Sequence, residues 1–270
     1  MAFSTRPLVI HAGFHKTGTS SLQQTLKANR TALKRHCNLL LKPRLKDILH
    51  ATRGYSTWRD PLTRAKMVHR ADTFLAEQPA YRHRGLILSA EELAGHMPGR
   101  DAICDYSAAL ILLPELVAAF HRRYRAPDLH VVFTTRSAQS WLTSAYWEHV
   151  KSSSMTLSQD EFTTRFAPAA RFDALLDDLA AKIAPIPLHR IPLEDWANTP
   201  LGLAEPVLRL QGVPDDTLQT LAPIPPVNTR LPDALLQELL DLNRNIGDRE
   251  ARKQAKQALI ARYETDAPSE

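Results

Sequence analysis

The residues of this chain best suited to chemistry lie near its start, in positions 11–25, HAGFHKTGTSSLQQT. Gly13 and Gly18 bracket Lys16, and Thr17, Thr19, Ser20 and Ser21 add hydroxyls around the second glycine. The apolar run before them, 7–11, reads as a strand, and the spacing of Leu22 and Leu26 after them reads as a helix. A strand that turns through such a loop into a helix gathers free N–H groups and the positive end of a helix dipole at one point, where an anion is held. The segment therefore reads as a phosphate cradle. Nucleoside-triphosphatase loops follow GxxxxGK[ST], with the lysine after the second glycine. Here Thr19 has that place and Lys16 precedes Gly18, and no apolar strand ends in a magnesium-binding Asp. The nearest substitute is the strand end Ser89-Ala90-Glu91-Glu92, so ordinary ATP chemistry is disfavoured.

His11, Gly13, Lys16 to Leu22 and Gln23 resemble the opening H-x-G-x-x-K-T-G-T-[ST]-S-L-Q of sulfotransferases that use 3'-phosphoadenosine 5'-phosphosulfate (PAPS), in particular their bacterial branch. The resemblance implies that the backbone from Thr17 to Ser20, through Gly18 and Thr19, binds the 5'-phosphate with the Thr and Ser hydroxyls. It places Lys16 on the oxygen that bridges phosphorus and sulfur. The family's second signature, an Arg at a strand end followed eight residues later by a Ser, is met by Arg136 and Ser144 in VVFTTRSAQSWLTSAYW. A guanidinium and a hydroxyl just over two helical turns apart suit a distal 3'-phosphate. The family's Pro two residues after the Arg is Ala138 here. PLHRIPLEDW resembles the family's late strand and corner, which makes Glu194 and Asp195 structural, and PVNTR resembles a segment that closes over the donor through Asn228 and Arg230. These matches cover most of 8–230 and leave 42–84 unmatched.

Sulfuryl transfer needs a positive charge at the leaving oxygen, for which Lys16 is placed, and a base for the acceptor's proton. Glu91 resembles the Glu of the branch's S-x-E pattern and is the candidate base, followed by Glu92, with His15 and His96 behind them. As purely structural groups, Glu91 and Glu92 would be first-turn acids of a helix capped by Ser89. The acceptor side falls to 42–84, with Lys46, His50, Arg53, Tyr55, Trp58 and Arg59, and to the loop 151–155. Trp58 and Trp147 offer stacking surfaces for a sugar or an acidic glycan, which the basic residues could pair with, although core packing is the commoner role of such aromatics. A kinase of the same fold, or a nucleotide-binding protein without turnover, are the competing readings.

The elements that must position these groups are four short strands at 7–11, 85–89, 129–135 and 187–191. Helices are expected at 20–28, 31–41, 106–124 (with Pro114 at a kink or start) and 137–150, and from the capping box Ser158/Glu161 onward. Two or three more should follow towards the C-terminus. The stretch 44–79 is polar and weakly helical, 223–226 is an extended connector, and 266–270 is a flexible tail. Strands alternating with helices imply an α/β, three-layer, P-loop-like fold with a central, mainly parallel sheet flanked by helices, in a single domain over 1–270 with an acceptor-side insertion at 42–84.

Composition narrows the partners. A net charge of +5 is modest, and the basic clusters 82–84 and 122–125 precede strands, away from the carboxyl ends where such sheets bind ligands, so nucleic acid is not expected. Apolar runs stop well short of the roughly 18 residues that span a bilayer, and the N-terminus lacks a leader's apolar core. A cytoplasmic location is the expectation. Cys37 and Cys104 form no metal or disulfide motif and should be buried, and the 11 His show no paired spacing, so no metal is expected. The partners expected are the nucleotide donor, with adenosine 3',5'-bisphosphate as its product, and a carbohydrate or small-molecule acceptor; oligomeric state is left open.

Overall fold

The computed structural model describes residues 2–3, 6–79, 84–125, 127–223 and 232–266. Its strands are β1 (Ala2–Phe3), β2 (Leu8–His11), β3 (Cys37–Leu41), β4 (Gly85–Ser89), β5 (Tyr124–Arg125), β6 (Leu129–Thr135) and β7 (Leu188–Pro192). Five of them form an all-parallel sheet in the order β3-β4-β2-β6-β7, and β1 pairs with β5 beside it. The strand at the centre, β2, therefore delivers the cradle between β4 and β6, whose carboxyl ends carry Glu91 and Arg136.

Alternate residues of each strand face opposite layers. Leu8, Ile10, Leu86, Leu88, Val131 and Phe133 join one buried cluster, and Val9, Ile87, Val132, Leu39 and Leu41 join the other. The first cluster is covered by α3 (Lys46–Trp58), α4 (Pro61–Glu77), α5 (Ala109–Arg123), α6 (Ala138–Ser152), α7 (Gln159–Phe166), α8 (Phe172–Ile183) and α12 (Asp233–Asn245), with α13 (Arg249–Asp266) outside α12. The second is covered by α1 (Thr19–Ala28), α2 (Arg30–Leu33), α10 (Ala204–Leu210) and α11 (Asp215–Gln219); α9 (Leu193–Trp196) follows β7. The three-layer α/β fold is as expected.

The sheet has a fifth strand where a helix was expected. Over 31–41 the helix stops at Leu33 and Cys37–Leu41 pairs with β4 along its whole length. The run Leu39-Leu40-Leu41 fits a buried helix as well as a strand, and only the long-range pairing decides. The unassigned stretch 44–79 holds the two helices α3 and α4, joined by a turn in which Asp60 caps Leu62 and Thr63. The expected helix 106–124 begins at Ala109 and carries Pro114 within it. The Ser158/Glu161 capping box forms as expected. Cys37 is buried, but Cys104 is exposed, because it lies in a polar turn region that includes the left-handed residues Asp101 and Ala102. The basic group at 122–123 braces α5 against α4: Arg122 donates to Asp72, and Arg123 to the carbonyls of Leu75 and Gln78. Among the described residues, no helix is long and apolar enough to cross a membrane.

Candidate active site

Between His11 and Thr19 the backbone enters the left-handed region three times, at Gly13 (φ 57°), Lys16 (φ 66°) and Gly18 (φ 84°). Gly13 and Gly18 are also sterically required. A Cβ on Gly13 would lie 2.8 Å from Thr19 Cγ2, and one on Gly18 would lie 2.5 Å from Leu203 Cδ1. Lys16 has no such freedom, and a side chain in this conformation costs roughly 1–2 kcal/mol. Gly18 precedes α1, whose first turn has no side-chain cap and no acidic residue. Its first N–H groups thus have no side-chain cap, as an anion site at this position would require.

Behind the loop is a buried polar support. His11 Nδ1 and Ser89 Oγ are 2.7 Å apart, His11 Nε2 lies 3.4 Å from Thr134 Oγ1, and Thr134 Oγ1 lies 2.8 Å from Thr17 Oγ1. Thr17 also donates to the carbonyl of Phe14 at 2.7 Å, so its hydroxyl is committed to the loop itself. Burial pushes the His11 pKa down to about 4, which keeps the ring neutral. Ser89 thus ties β4 to His11 and does not cap the turn that follows; Ala90 occupies that position. The backbone N–H of His15 donates to Tyr106 Oη at 3.1 Å, and Trp141 Nε1 donates to the carbonyl of His15 at 2.8 Å. His15 Nδ1 also lies 3.2 Å from Tyr106 Oη, so the tyrosine hydroxyl meets both the backbone and the ring of His15. Burial pushes His15 down to about 3, so it is a poor base.

The second motif meets the first. Arg136, just past β6, donates from Nη1 to the carbonyl of Lys16 at 3.3 Å. Burial lowers its pKa, an effect that Glu194 partly offsets. Glu194 Oε1 also accepts from the N–H of Ser137 at 2.8 Å and so holds the start of α6, a structural role as expected. Ser144 lies half-buried on α6, and among the described residues its hydroxyl has no partner. One turn on, Glu148 accepts from Lys16 Nζ at 3.2 Å and lies 3.9 Å from Arg100 and from Lys151. Burial raises the Glu148 pKa, but Lys16 and its other partners outweigh this and hold it below the usual carboxylate range.

Glu91 and Glu92 lie in a short 3-10 turn, Glu91–Ala94, at the carboxyl end of β4. Lys42, at the end of β3, donates to Glu91 Oε1 and lies 3.1 Å from Glu92 Oε2, while Gln23 on α1 donates to Glu91 Oε2 at 3.1 Å. Burial raises the Glu91 pKa, and Lys42 and His15 more than reverse it, so Glu91 is ionised at neutral pH. His15, Glu91 and Glu92 place one ligand-type atom each within 4.8 Å of one another. The Lys42 ammonium is the cation that spans the two carboxylates. His96 stands apart, its Nδ1 accepting from the N–H of Met97 and its Nε2 3.9 Å from Asp101. Trp58 is exposed at the end of α3 and Trp147 packs against the core, so neither stacking nor core packing describes both. Asn228 and Arg230 lie outside the described residues.

Lys42, Glu148 and Thr134 were not singled out from sequence, nor was the supporting role of His11 and Thr17 behind the loop. Signals for two of them exist: Glu148 follows Ser144 by four residues on one helix face, and Lys42 follows a strand once 37–41 is read as one. No curated protein matches the chain. The family model for the sulfotransferase domain matches residues 8–186, from β2 and the glycine loop after it through Glu91, Arg136 and Ser144 to just past α8, and the chain belongs to that family.

Proposed function

We propose that the protein transfers a sulfuryl group from PAPS to a hydroxyl, or an amine, of a carbohydrate or small metabolite. The observation that supports this is the contact of Arg136 with the carbonyl of Lys16, which joins two segments 120 residues apart, as one nucleotide site built from both would require. In this reading the N–H groups of Thr17, Gly18, Thr19 and Ser20 hold the 5'-phosphate, with the exposed Ser20 hydroxyl beside them. Arg136 and Ser144 take the 3'-phosphate, and Asn228 and Arg230 close over the nucleotide. The acceptor oxygen attacks sulfur as the bond from sulfur to the bridging oxygen breaks. The electron pair goes to the phosphate of adenosine 3',5'-bisphosphate, where Lys16 compensates it, and the acceptor's proton goes to Glu91. Removing such a leaving-group cation costs on the order of a hundredfold in rate. No metal is needed in this scheme, since Lys16 supplies the charge. The helices α3 and α4 form the acceptor side of what we read as a single domain. An exposed free thiol at Cys104 accords with a reducing, cytoplasmic setting.

Calorimetric titration with adenosine 3',5'-bisphosphate, AMP and Mg-ATP tests the donor. Binding that needs the 3'-phosphate and ignores magnesium is the expected result. Preference for Mg-ATP would instead favour a kinase reading with the His15–Glu91–Glu92 group as its metal site.

A further inference from the structure

A cavity of about 390 Å³ opens beside the candidate base, lined by Lys42, Lys46, His50 and Arg53 with Asp47 and Glu92. Its volume is in the ordinary range for small-molecule sites. The four nitrogen-bearing side chains recur every three or four positions, so a single stripe running from the end of β3 along α3 faces the space. Their charges are not matched internally. Lys42 is shared between Glu91 and Glu92, and Arg53 Nη1 reaches Glu92 only at 4.0 Å, beyond hydrogen bonding. Asp47 is 3.8 Å from Arg70, on the neighbouring helix. Among the described residues, the side chains of Lys46 and His50 have no hydrogen bond or ion pair. Counting Glu91 and Arg70 with the lining, the four cations Lys42, Lys46, Arg53 and Arg70 face the three carboxylates Asp47, Glu91 and Glu92.

We propose that this cavity is an acceptor subsite for an anionic group, a carboxylate or a sulfate ester, carried on the acceptor near the hydroxyl that receives sulfate. The inference rests on the sulfotransfer reading above and narrows its acceptor. An anion held by Arg53 and Lys46 screens these cations from each other and anchors the acceptor's remaining atoms next to Glu92, one residue from the base. Lys42 then keeps Glu91 ionised beside the incoming negative charge, which would otherwise favour its protonation. The same anion disfavours neutral competitors by leaving Arg53 and Lys46 unpaired when they bind.

The test is a ligand-observed NMR titration of the whole protein, free and saturated with adenosine 3',5'-bisphosphate. The probes are methyl glucuronide, methyl glucoside 6-sulfate and neutral methyl glucoside. At least one anionic probe is expected to bind about tenfold more tightly than the neutral one, and whichever does so assigns the anion as carboxylate or sulfate ester. The double variant Lys46→Ala/Arg53→Ala should abolish that preference while leaving bisphosphate affinity within about twofold. Equal binding of all three probes, no binding of any, or a preference that survives the double variant would each overturn the inference. Bisphosphate binding without an anion preference sinks this inference alone. An anion preference without bisphosphate binding sinks the donor reading, and with it the assignment of the cavity to an acceptor, while the anion site itself stands.

Discussion

The two sides of the crevice are built from different materials. What we read as the donor side is contiguous backbone, with three left-handed residues between Gly13 and Gly18 and with so little room that a Cβ on Gly18 would meet Leu203 at 2.5 Å. What we read as the acceptor side is a mesh of side chains from the turn after β3, from α3 and from the turn after β4, with Lys42 and Glu91 49 positions apart in sequence. A backbone cradle is fixed when the fold forms and tolerates few substitutions of shape. A charge mesh tolerates changes of shape and is broken by changes of charge. The division suits a transferase whose nucleotide is constant and whose acceptor must be selected.

Single substitutions at the two chemical groups should break the comparison most sharply. Lys16→Ala is expected to lower turnover on the order of a hundredfold or more, and Glu91→Gln by about 10²–10⁴-fold, each with bisphosphate affinity changed far less. Single-turnover assays beside calorimetry separate these effects, and unchanged turnover in either variant removes that residue's assigned role. Next in size is Arg136→Ala, which should weaken adenosine 3',5'-bisphosphate about 10–100-fold and AMP hardly at all. Equal weakening of both ligands would mean that Arg136 supports the loop through the Lys16 carbonyl and does not read the 3'-phosphate.

How much was legible beforehand follows the same division. The cradle is local in sequence, so its glycines, Lys16 and the flanking strand and helix were readable, as were β4, β6 and β7 from their apolar runs. What depends on distant pairing was not. Cys37–Leu41 becomes a strand only by lying against Gly85–Ser89, and with that strand hidden, Lys42 had no recognisable place at a sheet end. The stripes Ile48, Leu49, Thr52, Tyr55 of α3 and Met67, Ala71, Leu75 of α4 are buried, but polar residues dominate both segments and mask the periodicity. The partners of Glu91, Gln23 and Lys42, come from two segments apart from its own, and no spacing within one of them announces the other.

Acidification should separate the two sides. The pKa of His11 is pushed down to about 4 by burial, against 6.5 when exposed, so between these values the unfolded chain binds a proton that the fold refuses. Stability contributed by the neutral ring is thus complete above pH 6.5 and falls as pH drops towards 4, by about 1.4 kcal/mol per pH unit once below the unfolded value. Glu91 acts in a lower window. Its folded pKa lies below the ordinary 4.5, so its pairing with Lys42 stabilises above that value and is lost only as pH falls through the folded pKa. Denaturant titrations from pH 7 to 5 should show a shallower loss of stability for His11→Gln than for the unaltered protein. An unchanged slope would mean that His11 is not the neutral support of the cradle.

The smallest effect sharpens the claim that the donor side is shaped by backbone. Lys16 sits at φ 66°, where any residue with a Cβ is strained. Lys16→Ala and Lys16→Gly both remove the ammonium and its bond to Glu148, but only glycine releases the strain, at the cost of more entropy in the unfolded chain. The strain of roughly 1–2 kcal/mol exceeds that entropic cost of about 0.4–1 kcal/mol, so Lys16→Gly should be the more stable of the two inactive variants by up to about 1.5 kcal/mol. Paired chemical denaturation measures the difference directly. If Lys16→Ala proves the more stable, the loop relaxes out of the left-handed region when the lysine is absent, and the conformation is then imposed by the Lys16–Glu148 contact and not by the chain.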